Sequence, residues 1–173
     1  YIKWQGQEIP GAELRKVPAS GISNHRRNER FSAWVEKDLA ADPVDGVVGF
    51  NKMPGLDVYY AADSCYLDKA LNERGRLYRS SGRFRHFSDY EKAVFGAASS
   101  TEILLISQTE KAKFKQHYQT SEERMHMLPP GISPDRCAGA DAADRRKAMR
   151  KSLDVAHGEQ LLLFVGSGFI KKG

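Results

Sequence analysis

Residues 128–136 read Leu-Pro-Pro-Gly-Ile-Ser-Pro-Asp-Arg, three prolines and a glycine in nine positions. The alternating run Met125-His126-Met127-Leu128 leads straight into them. A strand cannot continue through Pro129-Pro130, because proline has no N–H to donate and restricts the residue before it. A strand therefore ends here and the chain turns. Everything before this point reads as repeated strand–helix units. After it come one polar helix, an apolar strand over 161–165 and a Gly-rich loop carrying Lys171 and Lys172. The stretch reads as the border between two α/β domains, 1–133 and 134–173.

Composition bounds the rest. A chain of 173 residues is long enough for a domain with a real core. Its hydrophobic fraction is 40%, and no run approaches the ~20 apolar residues of a membrane span. Residue 1 is a tyrosine with no signal-peptide pattern after it, and the chain closes on Lys171-Lys172-Gly173. Those ends suggest an excised piece. Cys65 and Cys137 form neither a metal spacing nor a disulfide framework, so free thiols in a reducing compartment are expected. A net charge of +5 favours an acidic partner: phosphate, nucleic acid or anionic lipid.

Working outward from the border, Ile103-Leu104-Leu105-Ile106 and Val47-Val48-Gly49-Phe50 are apolar runs of the kind found in parallel strands buried on both faces. Residues 58–62 give another strand, and 12–17 a short candidate closed by Pro18. Ser23 is placed to cap a helix whose Phe31, Trp34, Val35 and Leu39 share one face. His25, Arg26, Arg27 and Arg30 crowd its first turns, where the helix dipole prefers anions. They are either a solvated face or a place where an anion is met. Asp42-Pro43 stops that helix. Ser107 with Glu110, and Thr120 with Glu123, have the spacing of capping boxes. A polar helix is expected over 141–153.

Ligands of open α/β sheets bind beyond the carboxyl ends of the strands. Asn51 and Lys52 follow one predicted strand and Asp63 another, which makes them substrate-side candidates. Asp63 alone is equally a turn or cap residue. In 74–95, Arg76, Arg79, Arg83 and His86 are spaced for one face of a single helix, beside a stripe of Phe84, Phe87, Tyr90 and Val94. Such a helix suits an anionic membrane surface. The alternative is a core-facing helix with a solvated basic back. No nucleic-acid-binding module accompanies it. The loop Gly166-Ser167-Gly168-Phe169-Ile170-Lys171-Lys172-Gly173 would let backbone N–H groups approach a phosphate, although it is not a P-loop. By spacing alone it is also a simple strand–loop with solvated lysines.

The order Gln119-Thr-Ser-Glu-Glu-Arg-Met-His-Met-Leu-Pro-Pro-Gly-Ile132 resembles the interdomain passage of retaining GT-B glycosyltransferases. The strand and Gly-x-x-x-x-Lys-Gly loop at 161–173 is similar to the first strand of their C-terminal domain. Within that group, Val48-Gly-Phe-Asn-Lys-Met-Pro-Gly-Leu-Asp-Val-Tyr59 with Ala61-Ala62-Asp63 resembles the lipopolysaccharide core glucosyltransferases that add the first glucose to inner-core heptose. So do Asn24-His25 with Arg27-Asn28, and Tyr78 with Arg83, Arg85 and His86.

The resemblance implies a GT-B-type, Rossmann-like parallel sheet with flanking helices, truncated at both ends. The family's first strand and its Gly-Gly-Leu-Gln-Arg loop would precede residue 1, and most of the donor domain would follow residue 173. It implies retaining transfer of glucose from UDP-glucose without a metal or other cofactor. Lys171, Lys172 and Arg136 would hold the donor diphosphate, and Asp63 would stand near the acceptor or reacting sugar. Residues 74–95 would dock on the inner leaflet of the bacterial inner membrane, and no nucleic-acid partner is expected. The 173-residue chain alone is expected to be inactive. Two other classes stay open: an anionic membrane- or nucleic-acid-binding module without catalysis, and a GT-B transferase with another sugar donor.

Overall fold

The computed structural model describes residues 2–3, 5–7, 9–19 and 21–163. The chain divides into two compact units, Tyr1–Pro130 and Gly131–Gly173.

In the first unit four parallel strands lie side by side in chain order. They are β1 (Val48–Gly49), β2 (Val58–Ala61), β3 (Glu102–Leu105) and β4 (Met125–Met127). Four helices accompany them: α1 (Asn24–Ala41), α2 (Tyr66–Glu73), α3 (Gly82–Phe95) and α4 (Gln108–Tyr118). The register sets Tyr59 beside Ile103 and Ile103 beside Met125, with Ala61 and Leu105 two residues further along. Residues two apart on a strand share a face, and these five side chains are all buried. Phe95 of α3 and Phe114 of α4, stacked with ring centroids 3.6 Å apart, are buried in the same cluster.

The opposite face is half-buried at Val58, Tyr60 and Leu104 and open at its β1 edge. Val48 is 58% exposed and Phe50 69%, whereas the intervening Gly49 is buried. This corrects the expectation that β1 is buried on both faces. Double burial needs a layer on each side of the sheet; here the packed layer lies on the Tyr59 side, and among the described residues β1 pairs with β2 alone. Gly49 has its own reason to be glycine, since a Cβ there would collide with the Leu56 side chain.

Other local expectations are revised for related reasons. Residues 12–17 form no strand. They are tied instead to the end of α1 by Arg15, which donates to Asp38 at 3.0 Å and Asp42 at 2.6 Å. Ser107 precedes α4 but makes no side-chain cap. Its supposed partner Glu110 turns away to accept the Cys65 N–H at 2.6 Å. Thr120 is not a cap either; its buried hydroxyl donates to the Phe95 carbonyl at 2.7 Å. Ser121 caps the 3-10 turn Glu122–Arg124 in its place.

The single helix over 74–95 is broken in two. A 3-10 helix, Arg76–Ser80, ends at Ser81, whose hydroxyl accepts the Phe84 N–H at 3.1 Å and starts α3. Ser81-Gly82 is a breaker pair with a mechanism: the serine satisfies an orphan donor and glycine costs a helix interior about 1 kcal/mol. Arg124 closes the end of α3. Its guanidinium donates to the carbonyls of Val94 (3.3 Å), Gly96 (2.9 Å) and Thr101 (2.6 Å).

In the second unit, a 3-10 turn, Pro134–Arg136, precedes α5 (Ala142–Ser152). Arg150 reaches the carbonyls of Ala156 and Glu159 and closes the turn after α5. Residues 161–163 are exposed and belong to no strand, so the strand expected over 161–165 is not formed there. A strand needs a neighbour for its ladder, and the second unit offers none among the described residues. Residues 164–165 and the loop after them, with Lys171 and Lys172, lie outside the described residues.

Candidate functional site

The turns after β1 and β2 leave the sheet at the same end. The first carries Asn51 and Lys52, the second Asp63 and Ser64. Asn28 of α1, Tyr66 and Lys69 of α2, and Arg83 and Phe87 of α3 close around them. Together they line a cleft of about 290 Å³. Its placement follows from topology, because parallel strands deliver all their carboxyl-end turns to one edge of the sheet.

The floor of the cleft is held by Glu91 of α3, a wholly buried carboxylate. It accepts from Lys52 Nζ at 2.5 Å, from the Tyr66 and Leu67 N–H groups at 2.8 Å each, and from the Tyr118 hydroxyl at 2.6 Å. A buried charge is tolerated only when its lone pairs are so occupied. Lys52 donates at the same time to the Ser64 carbonyl at 2.9 Å, tying the two cleft turns together. Its ammonium also lies 5.6 Å from the Phe114 ring centroid and 5.8 Å from that of Phe95. Lys52 is thus a brace. Burial and the neighbouring Glu91 push the Cys65 thiol up to about 12, which makes it an inert core residue. Burial, with Glu91 adding to it, also raises the Tyr118 phenol.

The rim differs. Asp63 and Asn51 are exposed, and the Asp63 carboxylate accepts no hydrogen bond from another described residue. Arg83 stacks over Phe87, guanidinium carbon to ring centroid 5.3 Å, and also makes no hydrogen bond to a described residue. Lys69 has only Glu73, at 4.0 Å on an exposed helix face. The site candidates Asn51, Lys52, Asp63 and Arg83 therefore meet in one place, although Arg83 was expected on a membrane face.

His86 is not a surface residue, which corrects its membrane-facing reading. It is buried at 8% exposure, donates from Nε2 to Asn28 Oδ1 at 2.9 Å and packs on the Tyr90 ring at 4.0 Å. The helix break at Ser81 turns α3 so that His86 falls on the side facing α1. Burial holds its pKa below the ordinary value, with Glu29 opposing the shift and His25 adding to it. Arg76 and Arg79 are exposed on the 3-10 helix, flanking Leu77 at 90% exposure. Arg136 is exposed in the second unit. Glu91 escaped sequence reading because nothing local marks it; its donors come from positions 52, 66, 67 and 118. Among the described residues no group of three or more His, Cys, Asp or Glu is placed to hold a metal ion. No described helix is long and apolar enough to cross a membrane.

Over 170 residues the chain is 44% identical to the lipopolysaccharide glucosyltransferase WaaG of Escherichia coli (strain K12). The chain is similar to WaaG. The match covers 98% of the chain and 46% of WaaG, so the chain spans about half the length of the relative it matches. A crystal structure of WaaG, described as a glycosyltransferase involved in lipopolysaccharide biosynthesis, superposes with a TM-score of 0.82 at 44% identity, again over 98% of this chain and 46% of that one. No protein-family model matches. The fold is the GT-B-type, Rossmann-like parallel sheet with flanking helices that the sequence led us to expect, here matched to WaaG.

Proposed function

We propose that the whole protein bearing this sequence is a lipopolysaccharide core glucosyltransferase that moves glucose from UDP-glucose to an inner-core heptose with retention, at the cytoplasmic face of the inner membrane. The observation that carries this reading is the 44% identity to WaaG over 98% of the chain. The cleft supports it: a solvent-open carboxylate, Asp63, stands beside amide and aromatic side chains suited to a sugar. Transfer from a nucleotide sugar develops negative charge on the leaving diphosphate. The resemblance implies transfer without a metal, in which case fixed cations stabilise that charge, and one such preorganised group is worth about 2.7–4 kcal/mol. Lys171, Lys172 and Arg136 are assigned that role by the resemblance. Asp63 then serves the acceptor side.

The test is transfer of labelled glucose from UDP-glucose to heptose-terminated, glucose-free lipopolysaccharide by the whole protein. Activity is expected, with a loss of about two orders of magnitude or more in Lys172→Ala. Activity with another sugar nucleotide alone would keep the fold and change the donor. A second reading, a membrane-binding module, draws on exposed Leu77 between Arg76 and Arg79. It predicts steeply salt-dependent binding to anionic vesicles and no transfer with any donor.

A further inference from the structure

Among the described residues three cations reach the cleft: Lys52 is spent within the protein, Lys69 has a long, exposed pairing with Glu73 at 4.0 Å, and Arg83 has the Phe87 ring. Lys52 is neutralised by Glu91 and held by the Ser64 carbonyl. The N-terminus of α2, which also opens here, is spent as well. Its Tyr66 and Leu67 N–H groups go to Glu91 and the Cys65 N–H to Glu110. A ligand anion therefore finds the α2 terminus occupied. It finds Arg83 and Lys69.

We propose that the cleft seats an anionic oxygen group carried by a sugar, a carboxylate or a phosphate, with Arg83 as its principal donor and Lys69 as the second charge. This rests on the transferase reading and names the acceptor class of that site. The Arg83 guanidinium carbon lies 5.3 Å from the Phe87 ring centroid, and its N–H fork is hydrogen-bonded to no described residue. That fork matches the paired oxygens of carboxylate and phosphate. Asp63, the one acidic side chain among the described residues that line the cleft, repels such a group and so seats it on the Arg83–Lys69 side. The carboxylate is left for a sugar hydroxyl. Asn28 Oδ1 accepts from His86 Nε2, which leaves the Asn28 amide N–H groups for the same ligand. Tyr66 and Phe87 supply apolar surface for the ring.

The test is calorimetric titration of the whole protein, with UDP present to fill the donor site, using neutral heptose, heptose phosphate and the corresponding uronate. One or both charged sugars should bind roughly ten- to a hundredfold more tightly than the neutral one, the worth of a charge-assisted hydrogen bond. Whichever of the two gains more identifies the source of the anion. Arg83→Gln should abolish the preference and leave neutral-sugar affinity unchanged, while Arg83→Lys should retain part of it. In the transfer assay, Arg83→Gln should raise the acceptor KM with kcat nearly constant. Equal affinity for all three sugars, or no binding at millimolar concentration, overturns the proposal. So does an Arg83→Gln variant that loses only its binding to phosphatidylglycerol vesicles. Charged-sugar preference without transfer from any nucleotide sugar would instead overturn the transferase reading and leave the anion site. Transfer with equal affinities would do the reverse.

Discussion

The floor and the rim of the cleft are built from the same kinds of side chain put to opposite uses. On the floor, Lys52 and Glu91 are both largely removed from water, their side chains 12% and 0% exposed, and every polar atom of the pair has protein partners. On the rim, Arg83 and Asp63 carry the same two charges, yet neither is hydrogen-bonded to a described residue. A buried ion pair is weak evidence for net stability, but removing one member leaves the other uncompensated. An exposed charge contributes little to stability. The floor is therefore where substitution should unfold the protein, and the rim is where it should change ligand binding.

The sharpest break comes from Glu91→Ala. It strips Lys52, Tyr66, Leu67 and Tyr118 of a shared acceptor and should cost about 3–5 kcal/mol in urea unfolding. A cost under about 1 kcal/mol, the range of an exposed pair, would erase the distinction between floor and rim. Lys52→Met should cost less, about 1–3 kcal/mol, because three donors remain on the carboxylate.

Next is pH. His86 has a depressed pKa in the folded chain, so the unfolded chain binds its proton more readily. The neutral ring's contribution is intact above the ordinary value of 6.5 and is lost as pH falls from there through the folded value. His86→Phe should flatten that part of the stability–pH curve, read from thermal melts between about pH 7 and 5. An unchanged slope would mean that His86 is not the group responsible.

The smallest stability effects belong to the rim. Asp63→Asn and Lys69→Gln should each shift stability by no more than about 0.5 kcal/mol. Asp63→Asn should nonetheless lower glucose transfer by about a hundredfold or more if the carboxylate handles an acceptor proton. The two cysteines offer a chemical version of the same contrast. Exposed Cys137 should be alkylated in the native protein, and buried Cys65, its thiol pushed up to about 12, only after unfolding. Mass spectrometry of labelled peptides would settle it.

What the sequence made legible divides along similar lines. The apolar run at 103–106 and the alternating run at 125–128 announced β3 and β4, because burial and a proline stop are written in adjacent residues. The turns bearing Asn51, Lys52 and Asp63 were legible from strand ends alone. Glu91 was not, since a glutamate on an amphipathic helix looks solvated until four distant donors converge on it. The capping box at Ser107 and Glu110 failed for the same reason. Its local partner lost to the Cys65 N–H, a donor 45 positions earlier. The face drawn through Arg76, Arg79, Arg83 and His86 ran across Ser81-Gly82, where a breaker outweighed the periodicity.

Arg124 has a consequence for how the protein is made. The carbonyls of Val94, Gly96 and Thr101 share one donor group that lies 23 to 30 positions further along the chain. As the polypeptide leaves the ribosome, the finished end of α3 and the approach to β3 wait with those oxygens in water until residue 124 emerges. The stretch just before the Pro-Pro turn is thus the clasp of the sheet, and a nascent chain stalled short of it should remain open to protease at 94–101.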